Sequence, residues 1–541
     1  MSDKKDIDQS IAAAEEELAR LNTKRAEVID SLQNLRRKNI LLAQSGKQLS
    51  LTFRSPTVTN QSSEDDKIAL FQSLFKGRED VYPRRFVSAK SGKSGYSPAC
   101  ANEWAPGLCY KPRIKCTECK NQAFLPANES MIHNHLLGQD PSEPSGKDFT
   151  AGVYPLLLNE TCWFLATDFD KHTWQEDAAA FLETCHIHNV PAVLERSRSG
   201  NGGLVWIFFS QPIPAKAARR LGSYLLTRTM EQRPEIGFDS YDRFFPSQGT
   251  LPQGGFGNLI ALPLQKGPRA NENSVFVNEK FETYKDQWAF LSSIRRMDLI
   301  EIEGILAEVT EDENILGVKI AISDEEAPWE APPSRKWKER PLIGPLPEKL
   351  SLVFGNQLYI AKDDLTPTLR NRLIRLAAFQ NPEFYHAQAM RFSTFEKPRI
   401  ISCAEDFPKH IGLPRGCLDE IIDLLETHNI KPEVIDERFS GNPIPMDFQG
   451  KLRPDQQVAA EAMLKADTGV LSATTGFGKT VIAAYLIAKR KVNTLVLVHR
   501  RQLLDQWIAH LINFLGLAPQ EVGIIGGGRQ KTMGVVDVAT I

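Results

Sequence analysis

The sequence has no run of about 18 apolar residues, so no helix able to cross a bilayer is expected. It also lacks a surplus of positive charge: 65 Lys and Arg stand against 67 Asp and Glu, a net charge of −2. That balance excludes a uniformly basic nucleic-acid binder. It leaves room for a local basic groove, because charge acts over a Debye length of about 8–10 Å. The opening residues MSDKKDIDQS contain no apolar signal core, so secretion is not expected and the cytoplasm is the expected compartment. Internal repeats and low-complexity tracts are absent. Cysteine is scarce, eight residues in 541, yet four of them fall between Cys100 and Cys119. In a chain read as intracellular, that clustering favours a metal over disulfides.

What is present predicts a folded, multidomain α/β protein. Hydrophobic residues are 42% and charged residues 24%, as in folded soluble proteins. At about 100–200 residues per domain, the length predicts three to five units. Residues 1–45 read as a coiled coil: Ile7, Ala14, Leu21, Val28 and Leu35 recur every seven residues, and Ile11, Leu18, Arg25 and Leu32 fill the second seam position. A homo-oligomer through this helix is expected, with Arg25 fixing register. Residues 46–90 hold a polar linker, Ser55–Asp66, and a short amphipathic helix, Lys67–Phe75. The other boundaries are placed at 91–140, 141–300, 301–345, 346–450 and 451–541, with the acidic, Pro-rich Glu325–Pro333 between domains.

Within 91–140 the cysteines are spaced Cys100-x8-Cys109-x6-Cys116-x2-Cys119. Two thiolates of a CxxC pair converge on one ion, and two more close a tetrahedral structural zinc site. His133 and His135 are alternatives for one of the cysteines. Lys111, Arg113, Lys115 and Lys120 make the module basic, which suits a nucleic-acid strand.

The segment 141–300 carries the chemistry. Cys162–Thr167 is an apolar run that reads as a buried strand ending in Asp168-Phe169-Asp170. Residues two apart on a strand face the same side, so both carboxylates point together while Phe169 points into the core. Two such carboxylates suit Mg²⁺ or Mn²⁺ bridging to phosphates. Thr173 and Glu176 predict a capping box for a helix Trp174–His186. Strands are expected at Ala192–Glu195 and Leu204–Phe209. The hairpin between them, with Arg196, Arg198, Ser199 and Asn201, reads as a phosphate cradle. Downstream, Asp239 offers a third carboxylate and Arg243 a further phosphate contact. Together these residues predict two-metal nucleotidyl transfer.

The stretches GYSPACANEW (Gly95–Trp104), KPRIKCTEC (Lys111–Cys119), FLATDFDKHTW (Phe164–Trp174), ERSRSGNGGLVWIFF (Glu195–Phe209), SYDRFFPSQGTLPQGGFGNLIALPLQ (Ser240–Gln265) and DQWAFL (Asp286–Leu291) resemble the primase domain of the TOTE conflict systems, in the archaeo-eukaryotic primase superfamily. The resemblance covers about residues 65–300. It implies an RRM-like primase core with a zinc-binding insertion, template-directed polymerisation of NTPs or dNTPs, and divalent metal on Asp168 and Asp170. Two departures matter. The family usually has a histidine, in contact with the incoming nucleotide's phosphates, where this chain has Leu204. It also tends to have Asp where Gly249 sits. If that Asp is the third metal ligand, it is lost here; if Asp239 is, the triad is intact, and Asp239 is favoured because it follows the hydrophobic Phe238.

Residues 451–541 hold a second motif. Val470–Ser472 reads as a short buried strand feeding Ala473-Thr474-Thr475-Gly476-Phe477-Gly478-Lys479-Thr480, with a helix through Arg490. This is a phosphate-binding loop. Its amides, with Thr475, Gly476 and Gly478, would cradle ATP, Lys479 would reach the β- and γ-phosphates, and Thr480 would ligate Mg²⁺. Gln456 suits adenine recognition. The strand Thr494–Val498 runs into His499–Trp507. The set resembles superfamily 2 helicases of the DEAD/DEAH type, which implies a RecA-like lobe and DNA-backbone contacts by Arg500, Arg501 and Gln502. No DExH acid motif or second lobe appears before Ile541, so the lobe reads as partial, with weak ATP binding and little hydrolysis expected. Residues 346–450 look like the accessory region that precedes such a helicase. The expected function is a DNA primase-polymerase fused to an ATP-dependent helicase, in phage or mobile-element conflict or in replication. The alternative is a DNA-binding translocase or scaffold with a degenerate primase domain.

Overall fold

The computed structural model describes residues 55–88, 91–139, 148–307, 315–319, 342, 345–526 and 528–541. The heptad segment 1–45 and the boundary 325–333 lie outside the described residues. The chain divides into two units: one takes the residues up to Leu346 together with Leu365–Ala404, and the other takes Pro347–Asp364 and Glu405–Ile541.

In the first unit, β1 (Pro83–Val87) and β2 (Ser94–Pro98) form a hairpin, and β3 (Gly152–Val153) leads into the central sheet. That sheet is laid down by β4 (Thr161–Phe169), the helix Trp174–Ile187, β5 (Ala192–Arg196), β6 (Gly203–Pro214), the helix Ala215–Gln232 and β7 (Phe244–Phe245). After β8 (Ile260–Ala261), which pairs with β3, strand β9 (Val275–Val277) adds an edge. The order is β7-β4-β6-β5-β9, antiparallel throughout. Without β9 this is a β-α-β-β-α-β unit with strands in the order fourth, first, third, second, the split β-α-β arrangement.

The near-continuous apolar run of β4 follows from cover on both faces. On one face Phe169 packs on Phe181 of the helix Trp174–Ile187. On the other, Phe164, Trp206 and Phe208 cluster, and Phe75 covers the last two with ring centroids 5.1 and 5.4 Å away. Phe75 closes the helix Glu64–Leu74, three residues earlier at its start than the sequence predicts. Register pairs Phe164 with Phe208, Ala166 with Trp206 and Asp168 with Leu204. Asp168 therefore lies on the face opposite the two long helices, one rung beyond the aromatic cover.

Two local expectations are corrected. Thr173 stands at the N-cap but makes no capping bond; its hydroxyl donates to Asp177 Oδ2 at 2.9 Å, so the capping box with Glu176 does not form. Asp177 is buried and also paired with Arg233, which makes it the better partner. The strand expected at Val470–Ser472 is absent, and Val470 is exposed. A run this short becomes a strand only where a neighbouring strand pairs with it, and residues 470–472 carry no ladder pairing.

The chain also crosses the expected domain boundaries. Residues expected in the linker 301–345 include Ile302, Leu316 and Val318, all buried in the first unit's core. Strands β10 (Lys349–Phe354) and β11 (Leu358–Ala361) belong to the second unit, and the chain then returns to the first for the helix Pro367–Leu376, β12 (Ala378–Gln380), the helix Pro382–Ala389 and β13 (Ile400–Ser402). In the second unit, β14 (Glu405–Asp406), β15 (His410–Leu413) and β16 (Lys431–Asp436) complete a sheet ordered β14-β15-β11-β10-β16. Its last part holds β17 (Thr494–Val498), β18 (Val522–Gly526), β19 (Arg529–Lys531) and β20 (Val536–Thr540). Strands β17, β20 and β18 are parallel and β19 is an antiparallel edge, with the helices Lys479–Arg490 and Arg501–Leu515 sharing their core. No helix among the described residues is long and apolar enough to cross a membrane.

Candidate active site

Strand β4 ends where the hairpin Arg196–Gly203 folds back onto it. A Cβ at Gly202 would stand 2.9 Å from the Phe169 carbonyl oxygen, and one at Gly203 would stand 2.8 Å from the Trp174 ring. These glycines permit the close approach that seats the hairpin on the acid-bearing strand end. Asp168 is half-buried. Burial, and then the charge of Asp170, push its pKa up to about 6, with Arg243 pulling the other way. Asp170 is ion-paired with the Arg243 guanidinium. Asp239 accepts a hydrogen bond from Lys171 Nζ at 2.9 Å, and its other oxygen lies 3.6 Å from Arg243 Nε. The Asp168 backbone N–H donates to the Arg243 carbonyl at 3.1 Å. Arg243 thus pairs with the carboxylates of Asp170 and Asp239 and meets Asp168 through the backbone.

Gly249 lies elsewhere. A Cβ on it would meet the Lys216 backbone at 3.3 Å, beside the start of the helix that follows β6. That end of β6 pairs with Thr161, whereas Asp168 pairs with its beginning. At about 3.3 Å per residue, roughly 20 Å or more of strand separates the two places.

The hairpin residues are more engaged than a free phosphate cradle requires. Arg196 donates to the Glu272 and Phe281 carbonyls at 3.0 and 2.5 Å. Arg198 bonds Gln265 and Thr150 and pairs with Asp148 at 3.4 Å. Ser199 and Asn201 are exposed, and the Ser199 hydroxyl accepts from the Asn201 N–H at 3.3 Å.

One acid escaped sequence reasoning as a site residue. Glu195 is fully buried on β5 and faces Leu204 across the ladder, while Leu204 faces Asp168 on its other side. Trp206 Nε1 donates to Glu195 Oε2 at 2.9 Å and Ser274 Oγ to Oε1 at 3.4 Å. Burial raises its pKa to about 8 against the pull of those two bonds. The only signal in the sequence was an acid inside the apolar run AVLER; its place on one rung with Asp168 comes from the register of β6. A raised acid pKa means that the folded state holds the proton longer than the unfolded chain. Its stabilising contribution is therefore complete below about pH 4.5 and is lost as pH rises through about 8. Melting between pH 6 and 9 should fall in the parent and stay flatter in Glu195→Gln; equal slopes would contradict this.

The four cysteines Cys100, Cys109, Cys116 and Cys119 line one small pocket. Between Ala99 and Met131 no hydrophobic side chain is buried, so this segment has no apolar core of its own. Burial raises the Cys116 pKa, Lys111 lowers it, and the nearby Cys109 and Cys100 add to the rise. The histidine alternatives are placed away from this role. His135 is fully buried with Nδ1 accepting from the Ala151 N–H at 3.2 Å and Nε2 2.8 Å from the Pro263 carbonyl, and burial lowers its pKa to about 4. His133 lies 3.7 Å from Glu64. Among the described residues no group of three His, Cys, Asp or Glu side chains stands in ligating geometry, at the cysteines or at the aspartates.

In the second unit, Gly476 and Gly478 take φ of 83° and 89°, left-handed values that favour glycine, and Gly478 caps the helix Lys479–Arg490. Lys479 Nζ donates to the Ala473 and Thr474 carbonyls at 2.7 and 3.1 Å. Gln456 is buried: its Nε2 donates to the Phe477 carbonyl at 2.8 Å and its Oε1 accepts from the Arg453 N–H at 3.0 Å. It therefore ties the helix Pro454–Leu464 to the loop. Thr475 lies in the loop itself and Thr480 in the first turn of the helix. Arg500, Arg501 and Gln502 are exposed where the helix Arg501–Leu515 begins, just after β17.

Residues 66–305 match the family model described as TOTE conflict system, Archaeo-Eukaryotic Primase domain, and residues 449–541 match that of the Type III restriction enzyme, res subunit. The chain is a fusion of a primase-type and a helicase-type domain. Among curated proteins, one named for DNA 3'-5' helicase Rad25 in Haloarcula marismortui is 27% identical over 33% of this chain and 32% of its own length. The DNA 3'-5' translocase XPB2 of Sulfurisphaera tokodaii is 36% identical over 16% of this chain and 19% of its own. The fusion thus spans about a third or less of the length of these relatives. The UvsW helicase of bacteriophage T4 aligns with 36% of the fusion and 74% of its own chain at 16% identity, with a TM-score of 0.26, too low to establish a shared fold.

Proposed function

We propose that the first unit of the fusion is a template-directed nucleotidyltransferase, a DNA primase-polymerase using NTPs or dNTPs with Mg²⁺ or Mn²⁺. The observation that carries this reading is the gathering of three acids about Arg243 at a strand end under a glycine hairpin, Asp170 and Asp239 by their carboxylates and Asp168 by its backbone N–H. The donor set fits a divalent cation. Burial first and the charge of Asp170 second raise the Asp168 pKa, and Arg243 and Lys171 now supply compensating positive charge at the site. When bound, the metal ions supply charge neutralisation and activation of the attacking hydroxyl. Asp168 and Asp170 would hold them, with Asp239 as the third carboxylate. Arg243, once released from Asp170, would turn to the triphosphate, and Arg198, Ser199 and Asn201 would orient it, with Arg196 holding the hairpin from behind. The primer 3′-oxygen bonds to the α-phosphorus as the bond to pyrophosphate breaks. Primer synthesis on single-stranded template, with NTPs or dNTPs and either metal, tests this; no product under any of these conditions contradicts it.

One observation favours the alternative, a degenerate domain that only grips DNA. Leu204 occupies the rung between Asp168 and Glu195, and leucine has no donor for a phosphate.

We also assign structural zinc to Cys100, Cys109, Cys116 and Cys119, because four thiols share a pocket in a segment without buried hydrophobic residues. Purified chain should carry one zinc per molecule by elemental analysis, and Cys116→Ser should lose it; a zinc-free, stably folded parent would contradict the assignment. In the second unit the loop through Gly476, Gly478, Lys479 and Thr480 is assigned to ATP and its Mg²⁺, with Thr475 and Gln456 beside it and Arg500, Arg501 and Gln502 toward a DNA backbone. DNA as partner, self-association through residues 1–45, a cytoplasmic setting and a role in mobile-element conflict, phage defence or replication are part of this proposal, and rest on the sequence and the matched families.

A further inference from the structure

Leu365–Ala404 lies outside both matched stretches, yet folds into the first unit. It reaches the short 3-10 turn Phe238–Asp242, which carries Asp239 and leads into Arg243. The Arg399 backbone N–H donates to Asp242 Oδ2 at 2.9 Å, its Nη2 donates to the Ser247 carbonyl at 2.9 Å, and its Nε stands 3.7 Å from Asp242 Oδ1. The guanidinium is buried and stacks 4.2 Å from the Phe384 ring centroid. Arg375, also buried, donates from Nη2 to the Tyr241 hydroxyl at 3.2 Å and lies over the Phe238 ring. Tyr241 is fully buried, and its hydroxyl meets Thr227 Oγ1 at 2.6 Å. Phe238, Tyr241 and Asp242, the residues around Asp239 and just before Arg243, are thus all met by this one returning segment, while the helix Ala215–Gln232 holds Tyr241 alone among them by hydrogen bonds, through Thr227 and through Arg219 Nη2 on its carbonyl at 3.1 Å.

A single 3-10 turn has poor hydrogen-bond geometry and does not hold its own shape. A buried guanidinium, in turn, has few alternative partners once its pair is broken. We propose that Arg399 and Arg375 are positioning residues for Asp239 and Arg243, so that Leu365–Ala404 is a working part of the nucleotidyl-transfer site although it lies beyond the matched primase domain. This rests on the primase reading for its catalytic consequence. The mechanical part stands independently, as a brace on the turn. The chain enters this brace from the second unit and goes back there after Ala404, so it is covalently joined to the helicase-type half at both ends.

The test compares the full chain with Arg399→Ala, Arg399→Lys and Tyr241→Phe by amide hydrogen exchange and by primer synthesis. Expected for Arg399→Ala is exchange at Tyr241–Arg243 faster by about tenfold or more, unchanged protection in β4, and kcat lower by about tenfold, since small misplacement of a catalytic group has effects of this order. Arg399→Lys should recover part of both. Should Arg399→Ala not fold, Tyr241→Phe removes one hydroxyl and should loosen the same amides. Parental exchange at the turn in the folded variants, or acceleration spread evenly over the sheet, overturns the brace. A parent without primer synthesis removes the primase reading and with it the catalytic consequence, while exchange still decides the brace.

Discussion

Asp168→Ala combined with Asp170→Ala is expected to reduce primer synthesis by at least about 10³-fold and to leave the protein no less stable at neutral pH. The first half follows from the role proposed for these carboxylates: without them nothing holds the cations that neutralise the transferring phosphate. The second half follows from the sign of the pKa shift. The Asp168 pKa is raised from its ordinary value to about 6, first by burial and then by Asp170. The fold favours the protonated acid, so its stabilising contribution is complete below about pH 4 and is lost as pH rises through about 6. At pH 7.5 the ionised carboxylate is a cost that alanine removes. Extension assays and melting curves on the same preparations read both effects. Lost product with an unchanged or raised melting temperature supports a functional site; lost product with a collapsed melting temperature points to a structural pair.

Leu204→His is expected to raise nucleotide affinity, read as a roughly tenfold lower KM for NTP or dNTP. The ladder places position 204 directly between Asp168 and Glu195. Cross-strand neighbours stand about 4.5–5.5 Å apart, so an imidazole there has a carboxyl group on each side. The ionised Asp168 favours the imidazolium, which can donate to a phosphate as leucine cannot. The same change should favour ionisation of Glu195. Leu204 packs against the core, so a loss of about 1–2 kcal/mol in stability is expected alongside. An unchanged KM with the fold intact would show that this rung does not face the triphosphate.

The elements that carry the site were legible because their signal is local. The apolar run before Asp168, the aromatic run after Gly203 and the intervening glycine hairpin each announce a strand or turn without reference to distant residues, and the observed strands extend those runs by one to a few residues. Lys479 and its glycines were legible for the same reason. What escaped depends on partners far along the chain. Glu195 becomes a site residue only once β6 places Leu204 between it and Asp168. Arg375 and Arg399 gain meaning only when a segment more than 100 residues away lands on the turn after Gly237. The capping box failed because Thr173 found Asp177, itself fixed by Arg233. The choice between Asp239 and position 249 could not be made from spacing, since both follow β6 in sequence and only the path of the chain sends one to each end of the sheet.

The central claim is that Asp168 and Asp170 jointly hold a magnesium-class ion against a nucleotide triphosphate. Crystals soaked in Mn²⁺ with a nucleotide, measured for anomalous scattering, test it most directly. The account predicts a manganese peak about 2.2 Å from an oxygen of each aspartate, with Arg243 turned from Asp170 toward phosphate. Nucleotide bound elsewhere, no manganese peak between the two side chains, and Arg243 still paired with Asp170 would contradict it.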